Sequence, residues 1–311
     1  MPSDPESQSP PDDQRKPDSA ARAPLDHPEV GRKTALESDP KVQFNGEAKH
    51  SSNSQAVVRL IDLHKSFGRL HVLRGITLDF PTGKTTVVLG PSGCGKSVML
   101  KHIVALLRPD QGEAWFENTR IDTLGEARLV PIRRQFGFLF QQGALFDSMS
   151  VRQNIEFPLL EHTTLTPEHR LERVKEVLNM VGLEETLDKM PSDLSGGQRK
   201  RVALARAIVL RPKVILYDEP TTGLDPIRAD VINELILKLQ QELRVTSIVV
   251  THDLASAFKV ADLTVMLYEG KVVFRGTPDE LRRSDEPIVQ RFLKGEADEK
   301  DLAGIREVAG T

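Results

Sequence analysis

The sequence predicts an α/β fold with a mainly parallel sheet, and three observations predict it. Five short stretches, VVRLIDL, TTVVLG, FGFLF, VILYD and TSIVVTH, are apolar and rich in β-branched or aromatic residues, as strands buried on both faces are. Segments of helical periodicity lie between them, and strands alternating with helices imply parallel strands joined by crossovers. Finally, 39% hydrophobic and 28% charged residues in a chain of 311 describe a protein with a sizeable core.

The elements follow a polar leader. Residues 1–54 are rich in Pro, Ser, Asp and Lys, with scattered Leu, Val and Phe. Such a segment buries too little apolar area to offset its ordering entropy and is read as a disordered tail. Its first residues lack an apolar h-region, so no secretory signal is expected. From Ala56 the texture changes, and VVRLIDL opens the folded part. TTVVL is a strand that runs into GPSGCGKS, and SVMLKHIVALL behind it reads as a helix. FGFLF leads into LFQQGALFDSMSVRQNIEFPLLEH, residues 139–162, read as loop and short helix, with Pro158 and several polar residues interrupting its apolar groups. Leu145, Phe146, Met149, Val151, Ile155, Phe157, Leu159 and Leu160 give that stretch more apolar surface than a loop needs. In PEHRLERVKEVLNMVG, Leu171, Val174, Leu178 and Val181 share a helix face. Thr166 can cap that helix, Pro167 suits its first turn and Gly182 can end it. LSGGQRKRVALARA opens another helix at Ser195. Beyond the strands VILYD, TSIVVTH and KVVF, Thr277 and Glu280 form a capping box around Pro278.

Composition narrows the classes. A net charge of −3 supplies no bulk positive field for nucleic acid. The single cysteine, Cys94, rules out an intrachain disulfide and fits a reducing compartment. No apolar run is long enough to cross a bilayer. The expectation is a cytoplasmic protein whose membrane link runs through a partner.

GPSGCGKS, residues 90–97, fits G-x-x-x-x-G-K-[ST] and has the strand before it and the helix after it that the motif requires. Gly93 and Gly95 let backbone N–H groups turn toward β- and γ-phosphates, and the helix start adds its positive dipole end. Gly90, Pro91, Ser92 and Cys94 complete the loop. Lys96 reaches phosphate oxygens as a point charge, and the Ser97 hydroxyl is a ligand for Mg²⁺. Cys94 has no base beside it in sequence, so it is read as a small loop residue, open to alkylation when the loop is empty. VILYDE ends a strand in two acids. Asp218 at the sheet's carboxyl edge can hold Mg²⁺ through water, and Glu219 can polarise an attacking water. Ser195, Gly196, Gly197 and Gln198 open their helix as a second anion site. One chain thus carries two phosphate-recognition elements and one lysine loop, which is resolved if the second element completes another copy's site.

With these motifs in this order, the chain resembles the ATP-binding-cassette (ABC) ATPases from about Val57 to Phe292. The resemblance implies a phosphate-loop NTPase fold: a mainly parallel sheet core, an antiparallel β portion and an inserted helical subdomain at about residues 145–203. It implies an ATPase domain over residues 55–295, followed by a short tail at 296–311. It implies that Phe67 stacks on adenine and that Gln141 senses Mg²⁺ and the γ-phosphate. Ser195 to Gln198 would be the signature, Glu219 the catalytic carboxylate, Asp225 part of the D-loop and His252 the γ-phosphate switch. Two copies would close head to tail on two ATP molecules.

Three partner classes follow: transport complexes, soluble assembly complexes, and DNA-repair or chromosome complexes. The last usually carry a long heptad insertion, which is absent here. Transport ATPases receive a permease helix just after the glutamine, where ALFDSM and VRQNIEFPLLEH supply apolar groups, some for core and some for that groove. GALFDSMSVRQNIEFPLLEHT and PIVQRFLKGEAD are similar to the Mla/MCE-associated lipid-transport ATPases. That resemblance implies a multi-span permease, an MCE-domain lipid-binding protein, a position on the cytoplasmic face of the inner membrane and lipid cargo. An amino-acid or ion importer and a soluble ABC ATPase are the alternatives.

Overall fold

The computed structural model describes residues 56–297, so the leader at 1–54 and most of the tail at 296–311 lie outside the described residues. Strands β1 (Ala56–Phe67) and β2 (Leu70–Pro81) form a hairpin, and β3 (Thr85–Leu89) runs to α1 (Lys96–Ile103). Then come β4 (Gln111–Phe116), β5 (Thr119–Arg120), α2 (Glu126–Arg133) and β6 (Phe136–Leu139). Three helices follow, α3 (Val151–His162), α4 (Pro167–Met180) and α5 (Gly196–Ile208). The sheet resumes with β7 (Val214–Asp218), α6 (Pro226–Leu243), β8 (Thr246–Val250), α7 (Leu254–Val260) and β9 (Leu263–Tyr268). Strand β10 (Lys271–Gly276), α8 (Pro278–Arg282) and α9 (Pro287–Lys294) complete the described chain.

Two sheets result. The larger has the order β10-β9-β3-β8-β7-β6, and the smaller has the order β2-β1-β4-β5. In the larger sheet β9, β3, β8, β7 and β6 are parallel, and β10 is an antiparallel edge. The smaller sheet is antiparallel throughout. Every residue of β3 and of β8 is buried, as expected of strands covered on both faces.

The period of two along these strands builds two cores. Val87, Leu89, Ile215, Tyr217 and Val249 face one cluster, shared with α3, α4, α5 and α6. Val88, Val214, Leu216, Ile248 and Val250 face the other, shared with the antiparallel sheet and α1. On α4, Val174, Val177 and Leu178 are buried, Thr166 caps from His169 N–H and Pro167 opens the helix. The Thr277–Glu280 capping box is formed.

Residues 139–162 are loop followed by one helix, as expected. Helix α3 runs unbroken through Pro158, because buried Ile155 and Leu159 pack on either side of it and Ser150 and Gln153 form a capping box at its start. Ile155→Ala is expected to destabilise the protein by about 2–5 kcal/mol in chemical denaturation. An unchanged midpoint would remove α3 from the core.

Candidate nucleotide site

Parallel strands end at one edge, and the chemically distinctive residues hang from it in spatial order. The 90–97 loop leaves β3, His252 follows β8, Asp218 and Glu219 end β7, and Gln141 lies just past β6. The loop is glycine-dependent at two points. Gly90 has φ 150°, and a β-carbon there would lie 2.2 Å from the Leu267 carbonyl oxygen. Gly95 has φ 105°, and its β-carbon would lie 2.8 Å from Leu73 Cδ2. That second contact also sets the start of β2 against the loop. No side chain caps α1 at Gly95 and its first turn carries no acid, so its leading N–H groups are available to an anion.

Lys96 is buried and curls back into its own loop, donating to the carbonyls of Gly90 at 2.7 Å and Pro91 at 3.0 Å. Ser97 Oγ donates to Asp218 Oδ1 at 3.0 Å, across β8. Burial pushes the Asp218 carboxyl up, and the Ser97 hydroxyl pulls it back down. Glu219 sits in the left-handed region at φ 52°. Its carboxylate oxygens lie 2.9 and 3.0 Å from His252 Nδ1. Thr222 Oγ1 donates to the same carboxylate at 3.1 Å and Thr251 Oγ1 at 3.5 Å. Because a carboxylate only accepts, Nδ1 carries the hydrogen in this pair.

Phe67 stands at the tip of the β1–β2 hairpin, 47% exposed, with Lys65 Nζ 5.6 Å from its ring centre. Ser195 is exposed and forms a capping box with Gln198 at the start of α5. Among the described residues no hydrogen bond joins Ser195, Gly196, Gly197 or Gln198 to the 90–97 loop. Asp225 caps α6 by accepting from Arg228 N–H at 3.0 Å. Gln141 is exposed and makes no hydrogen bond to Ser97 or Asp218. One chain therefore joins Lys96, Ser97, Asp218, Glu219 and His252, and leaves Phe67, Gln141, Ser195 and Asp225 pointing outward or capping helices. Cys94 corrects the expectation of an open thiol: it is 6% exposed, and burial raises its pKa, so it is shielded from alkylation.

Residues that sequence reasoning missed support this edge from behind. Lys200 on α5 is buried and donates to three carbonyls in the bend after β7. It shares a helical stripe with buried Gly197, Leu204 and Ile208, a pattern that by itself does not separate a buried lysine from a solvated one. Asn154 on α3 accepts from Phe146 N–H at 2.8 Å and donates to the carbonyls of Phe146, Met149 and Ser150. Arg206 donates to the carbonyls of Gly143 and Ala144 and lies 5.6 Å from the Phe146 ring centre. Together they fix the segment between β6 and α3.

A glycine-rich loop between strand and helix, with an Asp-Glu pair at the same sheet edge, defines a phosphate-loop nucleoside triphosphatase. The family model described as ABC transporter matches residues 73–222. The probable ribonucleotide transport ATP-binding protein mkl of Mycobacterium leprae is 42% identical over 254 residues, which cover 79% of this chain and 73% of that protein. The intermembrane phospholipid transport system ATP-binding protein MlaF of Haemophilus influenzae is 41% identical over 246 residues, covering 79% of this chain and 93% of that protein. Among solved structures, a dimeric post-hydrolysis state of the ATP-binding cassette MJ0796 bound to ADP and Pi is 35% identical with a TM-score of 0.66, covering 71% of this chain and 98% of that one. This chain belongs to the ABC transporter family of ATP-binding proteins and is an ABC-type ATPase.

Proposed function

We propose that this ATPase drives phospholipid transport through a separate membrane permease. The observation that carries the reading is its likeness to a phospholipid-transport ATPase along 93% of that protein's length. The relative named for ribonucleotide transport has 73% of its length matched, and ribonucleotide cargo is the second reading. ATP stacks on Phe67 and lays its phosphates on the 90–97 loop, where Lys96 exchanges the Gly90 and Pro91 carbonyls for phosphate oxygens. Glu219 accepts a proton from the attacking water. His252 donates through Nδ1 to Glu219, so its Nε2 edge is turned to the nucleotide. Thr222 and Thr251 keep the carboxylate from swinging.

Mg²⁺ fits the donor set. Ser97 and Asp218 offer hard oxygens 3.0 Å apart, and burial gives the Asp218 carboxylate reason to hold a cation. Among the described residues no three His, Cys, Asp or Glu side chains converge as a metal site, so the ion would need phosphate oxygens to complete its shell. When bound it neutralises charge on the transferring phosphoryl group. Gln141, just past β6 at the same sheet edge, would add an amide oxygen to that shell.

The working unit is a head-to-tail homodimer. Ser195, Gly196 and Gly197 are unused by their own chain's loop, and Ile227 and Val231 are 79% and 42% exposed on the first turns of α6, beside Asp225. The permease meets the groove between β6, α2, α3 and α5, where Val130, Phe140, Phe146, Phe157 and Pro158 form an apolar floor rimmed by Arg134 and Arg206. Phe140 and Phe146 are 42% and 41% exposed there. Among the described residues no helix is long and apolar enough to cross a membrane, so residence on the cytoplasmic face of the inner membrane depends on that groove.

Purification from native membranes tests the reading. A multi-span permease and an MCE-domain protein carrying phospholipid are the expected companions. A soluble scaffold, or a permease complex carrying ribonucleotides, would overturn it. Phe146→Glu is expected to abolish membrane co-purification while leaving the soluble ATPase folded. Intact co-purification would remove Phe146 from the docking floor.

A further inference from the structure

Lys200 occupies a core position on a helix that otherwise buries Gly197, Leu204 and Ile208 on the same face. A buried ammonium needs a partner for each of its three donors. Nζ has three acceptors: the carbonyls of Pro220 and Thr222, each at 2.7 Å, and of Glu219 at 3.3 Å. Burial draws its pKa down to about 8, and the negative Glu219 opposes that fall. The ammonium is therefore still the main form at neutral pH.

All three acceptors lie in the bend that follows β7, and that bend is strained. Glu219 holds a left-handed φ of 52°, which its β-carbon disfavours. The peptide before Glu219 is fixed by its N–H donating to the Val250 carbonyl at 2.9 Å. The peptide after it is fixed by Lys200. One anchor belongs to the sheet and the other to α5, whose first residues follow Ser195. The direction of the Glu219 carboxylate, toward His252 and Thr222, follows from both.

We propose that Lys200 is a positioning residue for Glu219, tying the helix that begins at Ser195 to the backbone that carries the carboxylate. The inference rests on the roles given above to Glu219 and Ser195. Its consequence is directional. When Ser195 of one copy engages the nucleotide on its neighbour's loop, the displacement of α5 reaches Glu219 of the same copy through one ammonium. Occupancy of one site thereby sets the geometry of the water-activating group in the other.

Steady-state hydrolysis by the full chain tests this. Lys200→Met keeps the aliphatic stem and removes the donors. It is expected to lower kcat by roughly 10- to 100-fold while KM for ATP moves by less than about twofold. ATP-driven dimerisation, read by gel filtration in the Glu219→Gln background, is expected to persist in the double variant Lys200→Met/Glu219→Gln. Lys200→Arg, which keeps charge and donors, is expected to regain most of the lost kcat. Should Lys200→Met fail to fold, Lys200→Leu replaces it under the same split. Unchanged kcat in the donor-free variant overturns the proposal. So does loss of kcat together with dimerisation, or an arginine variant no better than methionine. Full turnover in Glu219→Gln alone would instead remove the underlying reading of Glu219, which separates the two failures.

Discussion

Glu219→Gln is expected to bind ATP as the parent does, to accumulate as an ATP-bound dimer, and to lower steady-state hydrolysis by roughly 100- to 10,000-fold. The argument is geometric. Glutamine nearly preserves the shape of glutamate, so contacts with Thr222 and Thr251 hydroxyls can persist at one oxygen. What it loses is the ability to take a proton from water. The carboxamide also turns a donor toward His252, where the carboxylate offered acceptors 2.9 and 3.0 Å from Nδ1. Binding and closure are thereby separated from chemistry, and the closed state is not relieved by hydrolysis. Turnover assayed with gel filtration in ATP reads both halves. Normal steady-state turnover would refute the role given to Glu219.

Lys96→Ala acts at the earlier step. It is expected to weaken ATP binding by at least roughly 10- to 100-fold, the equivalent of losing one charged hydrogen-bonding partner worth about 1.5–3 kcal/mol. The free protein also loses the bonds from Nζ to the carbonyls of Gly90 and Pro91, so its loop is less ordered before nucleotide arrives. Titration with a fluorescent ATP analogue measures the loss, and a thermal melt confirms that the fold survives. Unchanged affinity would sink the assignment of residues 90–97 as the phosphate loop.

The parts of this molecule that were legible in sequence share a physical cause. TTVVL, VILYD and TSIVV are buried on both faces, so they read as apolar runs; TTVVL leads directly to the glycine-rich loop, VILYD ends in Asp218 and TSIVV runs into Thr251 and His252. The glycine-rich loop was legible because only glycine tolerates the conformations at positions 90 and 95. Lys200 was not, because lysine on a helix reads as a solvated face until its three carbonyl partners are known, and those lie 19 to 22 residues away. Burial of Cys94 depends on neighbours distant in sequence, such as the second core it joins. The outward residues Ser195, Asp225 and Gln141 show helix caps and turns within one chain, because what they are read to touch belongs to a nucleotide or another copy.

The order of the larger sheet carries a consequence for how such a motor can be reused. The phosphate loop leaves β3, the groove proposed to receive the permease is built on the edge strand β6, and β8 and β7 lie between them. Three strand spacings separate the two by roughly 14 Å. Substitutions along the groove at Val130, Phe140 or Phe157 can therefore accumulate without disturbing Lys96, Ser97 or Gly90. On the proposed reading the chain is modular along a single axis, with fuel handled at the middle of the sheet and the permease met at its rim. A graft of residues 142–162 between family members is the natural test of that separation, since it leaves Gln141 and the phosphate loop in place.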